Sequence, residues 1–323
     1  MIEVTGISKK YGDKQALVEM SVSIEAGEIV GLLGLNGAGK STAMNIITGY
    51  IRPDSGYVNI GGYDVAKRPL EAKKKIGYLP EHFFFYNDMK VNEYLNFICD
   101  IKRVRNGRKK HIDELCERVG INHIRSRMIK NLSKGYRQRV GFVQSLLGDP
   151  EVVILDEPTV GLDPSQVVDI RSLIKDVGKK RTVMISSHIL SEVQVVCSRV
   201  LLLHNGRIIA DDTPDNLRKS MSEPNKVVAC IEGAPKDVKN ALSDRSIFKE
   251  VTVLGQKEQK AHEYLIMGND KKDIRRQLFF ALAQAGLPAL FINSSQFSLE
   301  DYFLKHVVLD TDSEQEDKER IQC

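Results

Sequence analysis

The chain has 323 residues, 42% hydrophobic and 28% charged, with a formal net charge of +4. That length suits about two domains with room for a core, and so small a positive charge does not by itself argue for nucleic acid. Five cysteines (Cys99, Cys116, Cys197, Cys230 and Cys323) stand without paired spacing, which argues against a disulfide framework or a zinc site and fits a reducing compartment.

In chain order, Val18, Met20, Val22 and Ile24 alternate with polar residues and predict one face of a half-buried antiparallel strand. The apolar run at 28–33 predicts a buried strand. It leads into Gly34-Leu35-Asn36-Gly37-Ala38-Gly39-Lys40-Ser41-Thr42, and a helix is expected over 41–50. A turn at Pro53-Asp54-Ser55-Gly56 precedes a strand at 57–60. Residues 82–131, opening with His82-Phe83-Phe84-Phe85-Tyr86, are rich in helix formers and read as a helical insertion, a subdomain reaching to about 150. Apolar runs at 152–155, 182–186 and 200–203 predict buried parallel strands, with a helix over 165–177. Asn205-Gly206 predicts a hairpin turn.

Residues 1–212 therefore read as one mixed α/β domain. A linker is expected at 213–223. Strands at 227–231, 251–254, 264–267 and 290–292, with helices at 236–243 and 271–285, give a β-α-β-β-α-β order for a small ferredoxin-like α+β domain over 224–308. Its last helix is expected at 298–308. The tail at 309–323 is polar, acidic and expected to be disordered: its last fourteen residues carry six acids against two bases, leaving the remainder at +8. The N-terminus lacks a signal pattern. The longest apolar stretch, 278–292, is broken by Gln284, Gly286 and Pro288, so no membrane span is expected.

The glycine-rich run carries the first chemistry. A strand, a tight turn and a helix start aim several backbone N–H groups, among them those of Asn36, Gly37, Ala38, Gly39 and Thr42, at one point that attracts phosphate. Lys40 adds a cation toward the β- and γ-phosphates of a nucleoside triphosphate, and the Ser41 hydroxyl suits Mg2+. Downstream, the strand at 152–155 ends in Asp156 and Glu157. Asp156 is placed to hold Mg2+, and Glu157 to act as general base on water. His188 ends the next apolar strand, within reach of the γ-phosphate.

Taken together and in order, these motifs resemble the nucleotide-binding subunit of an ATP-binding cassette (ABC) transporter over about residues 1–212. The P-loop core described above is joined by four further matches. Tyr11 fits the aromatic that stacks on adenine. Gly77-Tyr78-Leu79-Pro80-Glu81 fits the Q-loop, Leu132-Ser133-Lys134-Gly135-Tyr136-Arg137-Gln138-Arg139 the signature motif, and Gly161-Leu162-Asp163-Pro164 the loop that communicates across a dimer. The resemblance implies a cassette of mixed sheet core, antiparallel β subdomain and helical subdomain. It implies ATP and Mg2+ as ligands, with Ser41, Glu81 and Asp156 on the metal and Glu157, His188 and Glu81 catalytic.

It also implies a head-to-tail pair of cassettes, identical or different, in which Ser133 and Gly135 close on the partner's nucleotide. A permease on a separate chain is implied, with the cassette peripheral on the cytoplasmic face of a prokaryotic cell membrane and contact with the bilayer only indirect. Nucleic acid is not an expected partner. Ser133 suits the cap of a helix starting at about Tyr136. Glu81 stands where the family usually has Gln, and Lys134 where it has Gly; both resemble variants of exporter-type cassettes. The aromatic run at 83–86 is expected at a groove for the permease. The basic cluster of Lys102, Arg103, Arg105, Arg108, Lys109 and Lys110 reads equally as a lipid-facing patch or a solvated face. Arg137 and Arg139 read as helix-surface partners. The stretch at 298–304 resembles one in the C-terminal extensions of exporter-type cassettes. Two other classes stand beside the ATP-hydrolysing transporter subunit: a soluble cassette ATPase acting elsewhere, and an ATP-binding switch with degenerate hydrolysis.

Overall fold

Two kinds of apolar pattern, alternating near the N-terminus and continuous further on, become two kinds of sheet. The structure is a computed structural model and describes residues 1–221, 225–243, 247–258, 260–270 and 272–294. The helix expected at 298–308 and the tail at 309–323 lie outside the described residues. The chain divides into two compact units, Met1–Asp215 and Asn216–Cys323.

In the first unit the strands are β1 (Ile2–Tyr11), β2 (Lys14–Ile24), β3 (Ile29–Leu33), β4 (Ser55–Ile60), β5 (Tyr63–Asp64), β6 (Ile76–Leu79), β7 (Val152–Asp156), β8 (Thr182–Ser187), β9 (Arg199–His204) and β10 (Arg207–Asp212). The helices are α1 (Lys40–Ile47), α2 (Pro69–Lys75), α3 (Val91–Ile101), α4 (Arg108–Val119), α5 (Lys134–Leu146), α6 (Pro164–Gly178) and α7 (Leu190–Val196). A four-stranded sheet runs β2-β1-β4-β5 and a six-stranded sheet β10-β9-β3-β8-β7-β6. The first is antiparallel; in the second β9, β3, β8, β7 and β6 are parallel and β10 closes the edge antiparallel to β9. Every residue of β7 and β8 is buried, which is why these strands read as unbroken apolar runs. α1 lies in the core that the two sheets share. Its Ala43, Met44, Ile46 and Ile47 pack with Ile2, Val4 and Leu17 of one sheet and Ile154, Met184 and Leu201 of the other.

Three local expectations change. Val18 is not on the buried face with Met20, because the β1–β2 register shifts there and Glu19 takes φ 48°. The bulge moves the buried pair to Ala16 and Leu17 before the alternation resumes at Met20, Val22 and Ile24. The helix expected over 41–50 stops at Ile47, where the Thr48 hydroxyl turns back to the Met44 carbonyl at 2.8 Å and Gly49 takes φ 70°. Residues 214–221, expected within a linker, form helix α8 (Pro214–Met221).

Asn205 and Gly206 have φ of 45° and 79°, the pair of positive values that a two-residue hairpin turn requires. The turn also braces the glycine-rich loop, since Gly206 N–H donates to the Ala38 carbonyl at 2.9 Å.

The second unit has β11 (Lys226–Glu232), α9 (Pro235–Ser243), β12 (Phe248–Glu258), β13 (Ala261–Gly268), α10 (Arg275–Gln284) and β14 (Ala289–Ser294). Its antiparallel sheet runs β12-β13-β11-β14, the split arrangement of a ferredoxin-like fold. Val227, Ala229, Ile231, Tyr264 and Ile266 on one sheet face pack with Val238, Leu242, Leu278 and Leu282 of the two helices.

Candidate functional site

Parallel strands place the loops after β3, β6, β7 and β8 at one edge of the sheet, where α/β proteins bind ligands. These loops carry Gly34–Lys40, Glu81, Glu157 and His188 respectively. Gly34 N–H donates to the Ser187 carbonyl at 3.3 Å, fastening the first of them to β8. Gly39 caps α1 at φ 110°, and a Cβ there would lie 2.4 Å from the Ala16 carbonyl oxygen, so only glycine fits. The turn delivers the first-turn N–H groups of α1, which lack partners within the helix, to a cleft of about 380 Å³.

Asn36, Gly37, Gly39, Lys40, Ser41 and Thr42 line this cleft. Tyr11, half-exposed, forms one wall, and Glu81, Glu157 and His188 form another. Lys14 and Val160 line it too, unforeseen from sequence. Ala38 does not: its side chain belongs to the core, and its N–H donates to the Leu35 carbonyl at 3.1 Å.

Lys40 is 6% exposed. Its ammonium donates to the Gly34 carbonyl at 2.7 Å and lies 3.5 Å from Glu157 Oε1. Glu157 is 7% exposed, and its other oxygen meets His188 Nδ1 at 3.0 Å. A carboxylate only accepts, so Nδ1 carries the ring proton. Behind this pair, Glu157 N–H donates to Ser186 Oγ at 2.9 Å, and the Ser186 hydroxyl donates to Asp156 Oδ1. Burial pushes the Asp156 carboxyl above its usual range; the Ser186 hydrogen bond and Lys40 oppose this, while Glu81 and Glu157 add to it. Burial, together with the Asp156 carboxylate that it faces, likewise raises the Tyr78 phenol.

The donor set suits a hard cation. Ser41 and Glu81 line the cleft with a hydroxyl oxygen and a carboxylate, and Asp156, 4% exposed, stands behind that lining with a carboxylate that feels two neighbouring negative charges. Among the described residues no cluster of three or more His, Cys, Asp or Glu forms an all-protein metal cage. Mg2+ suits such a site, because it keeps waters and phosphate oxygens in its shell.

Ser133, Gly135 and Asp163 lie outside this cleft. Ser133 is exposed and caps α5, accepting from Tyr136 N–H at 3.4 Å. The helix starts two residues before the expected Tyr136. Asp163 is exposed at the start of α6 and makes no side-chain cap bond. A second cleft, of about 270 Å³, shares Glu81, Glu157 and Val160 with the first and is walled by Phe83, Phe85, Lys134 and Gln138. Phe83 and Phe85 stack at 5.0 Å between centroids, Phe85 meets Tyr94 edge-on, and the exposed Tyr86 rests edge-on against Phe97. Phe84 and Tyr86 of the run are exposed, Phe84 the more so at 93%.

Arg137 and Arg139 do hold helix-surface partners: the Lys130 carbonyl for the first, the Val119 carbonyl and Asp169 for the second. The basic cluster is smaller than its sequence suggests. Lys102 turns inward to the Gln144 and Leu147 carbonyls, and burial pulls its ammonium down to about 8. Three positioning groups were not singled out from sequence. Ser186 and Gln138 are two. The third is Glu192, which accepts from Thr159 Oγ1 at 2.6 Å and Ser187 Oγ at 3.2 Å and so ties the Glu157 loop to the His188 loop.

A family profile described as ABC transporter matches residues 17–160. The chain is 32% identical over 315 residues to the bacitracin transport ATP-binding protein of Bacillus licheniformis, covering 94% of this chain and 96% of that one. It is 32% identical over 255 residues to the linearmycin resistance ATP-binding protein of Bacillus subtilis, covering 78% and 82%. Among solved structures, an ATP-binding subunit of an ABC transporter superposes with a TM-score of 0.63 at 30% identity, covering 68% of this chain and 92% of that one.

Proposed function

The chain belongs to the ABC transporter family as an ATP-binding subunit, and from that footing we propose that it hydrolyses ATP to drive an exporter whose permease is a separate chain. The observation that carries hydrolysis is Glu157, buried at the mouth of the phosphate loop between Lys40 Nζ and His188 Nδ1. Adenine stacks on Tyr11. The triphosphate lies along the N–H groups of the loop and the start of α1, with Lys40 on its β- and γ-phosphates. Mg2+ held by Ser41, Asp156 and Glu81 would neutralise charge that develops between those phosphates. Glu157 takes the proton of the attacking water, and His188 keeps its carboxylate aimed.

Ser133 and Gly135 do not reach the chain's own cleft, and the Ser133 face is exposed. This supports a head-to-tail pair of chains in which each supplies that face to the other's ATP. Phe84, presented beside a cleft that contains Glu81 and Glu157, supports a permease contact that moves with the nucleotide. The printed names of the two Bacillus relatives, bacitracin transport and linearmycin resistance, support export. Among the described residues no helix is long and apolar enough to cross a membrane, in keeping with a peripheral place on the cytoplasmic face under its permease.

ATP turnover by the wild-type chain and by Glu157→Gln tests the reading. A fall of about a hundredfold or more, with ATP still bound, is the expected result. Turnover unchanged by Glu157→Gln, or none in the wild type even with its permease, contradicts hydrolysis at this site and favours an ATP-binding switch. Pull-down from detergent-solubilised membranes tests transport; recovery of ribosomes or DNA in place of a membrane protein contradicts it.

A further inference from the structure

Helix α5 starts at the exposed Ser133, with Gly135 buried beside it, and then passes behind the backbone that follows Glu157. Gln138 lies at that crossing, five residues beyond Ser133 or about 7.5 Å along the helix axis. It is 4% exposed, and its side-chain Nε2 donates to the Pro158 carbonyl at 2.7 Å. Pro158 directly follows Glu157, whose backbone takes φ 46°. A glutamate keeps that left-handed conformation only where its surroundings over-determine it. Two hydrogen bonds do so here. Glu157 N–H is fixed to Ser186 Oγ on one side, and the next carbonyl is fixed to Gln138 on the other.

The same two segments touch twice more. The Gln166 side chain, in the first turn of α6, packs over Gly135, and the Lys134 ammonium lies against Gly161. The exposed face of α5 and the segment from Glu157 to Gln166 therefore form one packed body within a chain.

The geometry points to Gln138 as a positioning residue that couples a chain's Ser133–Gly135 face to its own Glu157. The inference rests on the paired reading proposed above. In such a pair the face of one chain meets the γ-phosphate bound by the other, and α5 carries that contact to the first chain's own general base. A partner's γ-phosphate seated on that face then steadies the Glu157 backbone that Gln138 already holds in the unpaired chain, so the two hydrolytic centres are linked, and by reciprocity each biases the other. Gln138 does not line the phosphate cleft; it acts through the Pro158 carbonyl.

The test measures kcat, KM for MgATP and the affinity for a fluorescent ATP analogue on the full chain with its permease. The variants are Gln138→Glu, which keeps the size but sets an acceptor against an acceptor, and Gln138→Met, which removes the donor. Should Gln138→Glu not fold, Gln138→Met supplies the same reading. We expect kcat to fall by about tenfold or more with KM and analogue affinity within about twofold. Added to Ser133→Ala, either variant should cost much less than it does alone, because the two residues act in series. Folded, nucleotide-binding Gln138 variants with wild-type kcat overturn the proposal alone, as do losses that multiply fully with that of Ser133→Ala. A wild-type chain that neither pairs nor hydrolyses MgATP overturns the function reading, and the coupling with it.

Discussion

Ser186 holds both acids of the site with one oxygen, donating to Asp156 and accepting from the Glu157 N–H. Ser186→Ala leaves a buried N–H without its acceptor and a buried carboxylate without its donor, a loss of about 1–3 kcal/mol. We expect kcat for ATP to drop by about tenfold to a hundredfold with nucleotide affinity nearly unchanged, because Ser186 touches the acids and not the phosphates; a matched loss of affinity would contradict that role. The residues to which we assign the chemistry stood out in the sequence because each has a fixed chain spacing and a chemical character of its own: Lys40 after glycines, Asp156 and Glu157 at a strand end, His188 at the next. Ser186, Gln138 and Glu192 were not, since a serine or a glutamine acquires its role only from neighbours about 20 to 30 residues away in sequence. Ala38 shows the reverse: its place in the loop suggested phosphate contact, but core packing claims its side chain and the turn claims its N–H.

Among elements, the parallel strands declared themselves through continuous apolar runs, and Asn205-Gly206 through the positive φ its turn requires. What stayed hidden was local. The bulge at Glu19 has no apolar signature, and α1 ends early because Thr48 and Gly49 cap it. The Asn205-Gly206 turn offers a test of how β9 and β10 support the phosphate loop. A Cβ at Gly206 would lie 2.8 Å from the Ala16 carbonyl, at φ 79°. Gly206→Ala should lower stability by about 1–3 kcal/mol in a urea titration and weaken ATP binding through the Ala38 contact; a variant as stable as wild type would place the brace elsewhere.

Helix α5 has its own pH signature. Lys102 is held to carbonyls at its C-terminal end, with an ammonium pulled from 10.5 down to about 8. The unfolded chain thus binds more protons at this site than the folded one between pH 8 and 10.5, so Lys102 makes stability rise with pH across that window. The difference in unfolding free energy between wild type and Lys102→Met should grow in favour of the wild type over that range. A difference independent of pH would show that Lys102 is not desolvated.

At the scale of the whole molecule, the fold classes of both units followed from patterns that are themselves physical: period two where one sheet face is wet, unbroken apolar runs where both are dry, helical spacing between. The division of labour that we propose between two copies came only from resemblance, because a lone chain cannot display a contact it does not make. The structure adds a reason for it: Ser133 and Asp163 are exposed, away from the cleft that holds Lys40, Ser41, Glu157 and His188. The most direct measurement mixes two disabled chains, Lys40→Ala and Ser133→Ala, each with only a small residual turnover alone. In a mixed pair one centre keeps an intact loop from one chain and an intact Ser133 face from the other, so ATP turnover should return in proportion to the mixed pairs formed. A mixture of folded chains that stays as inactive as its two components would contradict a reaction centre shared between copies.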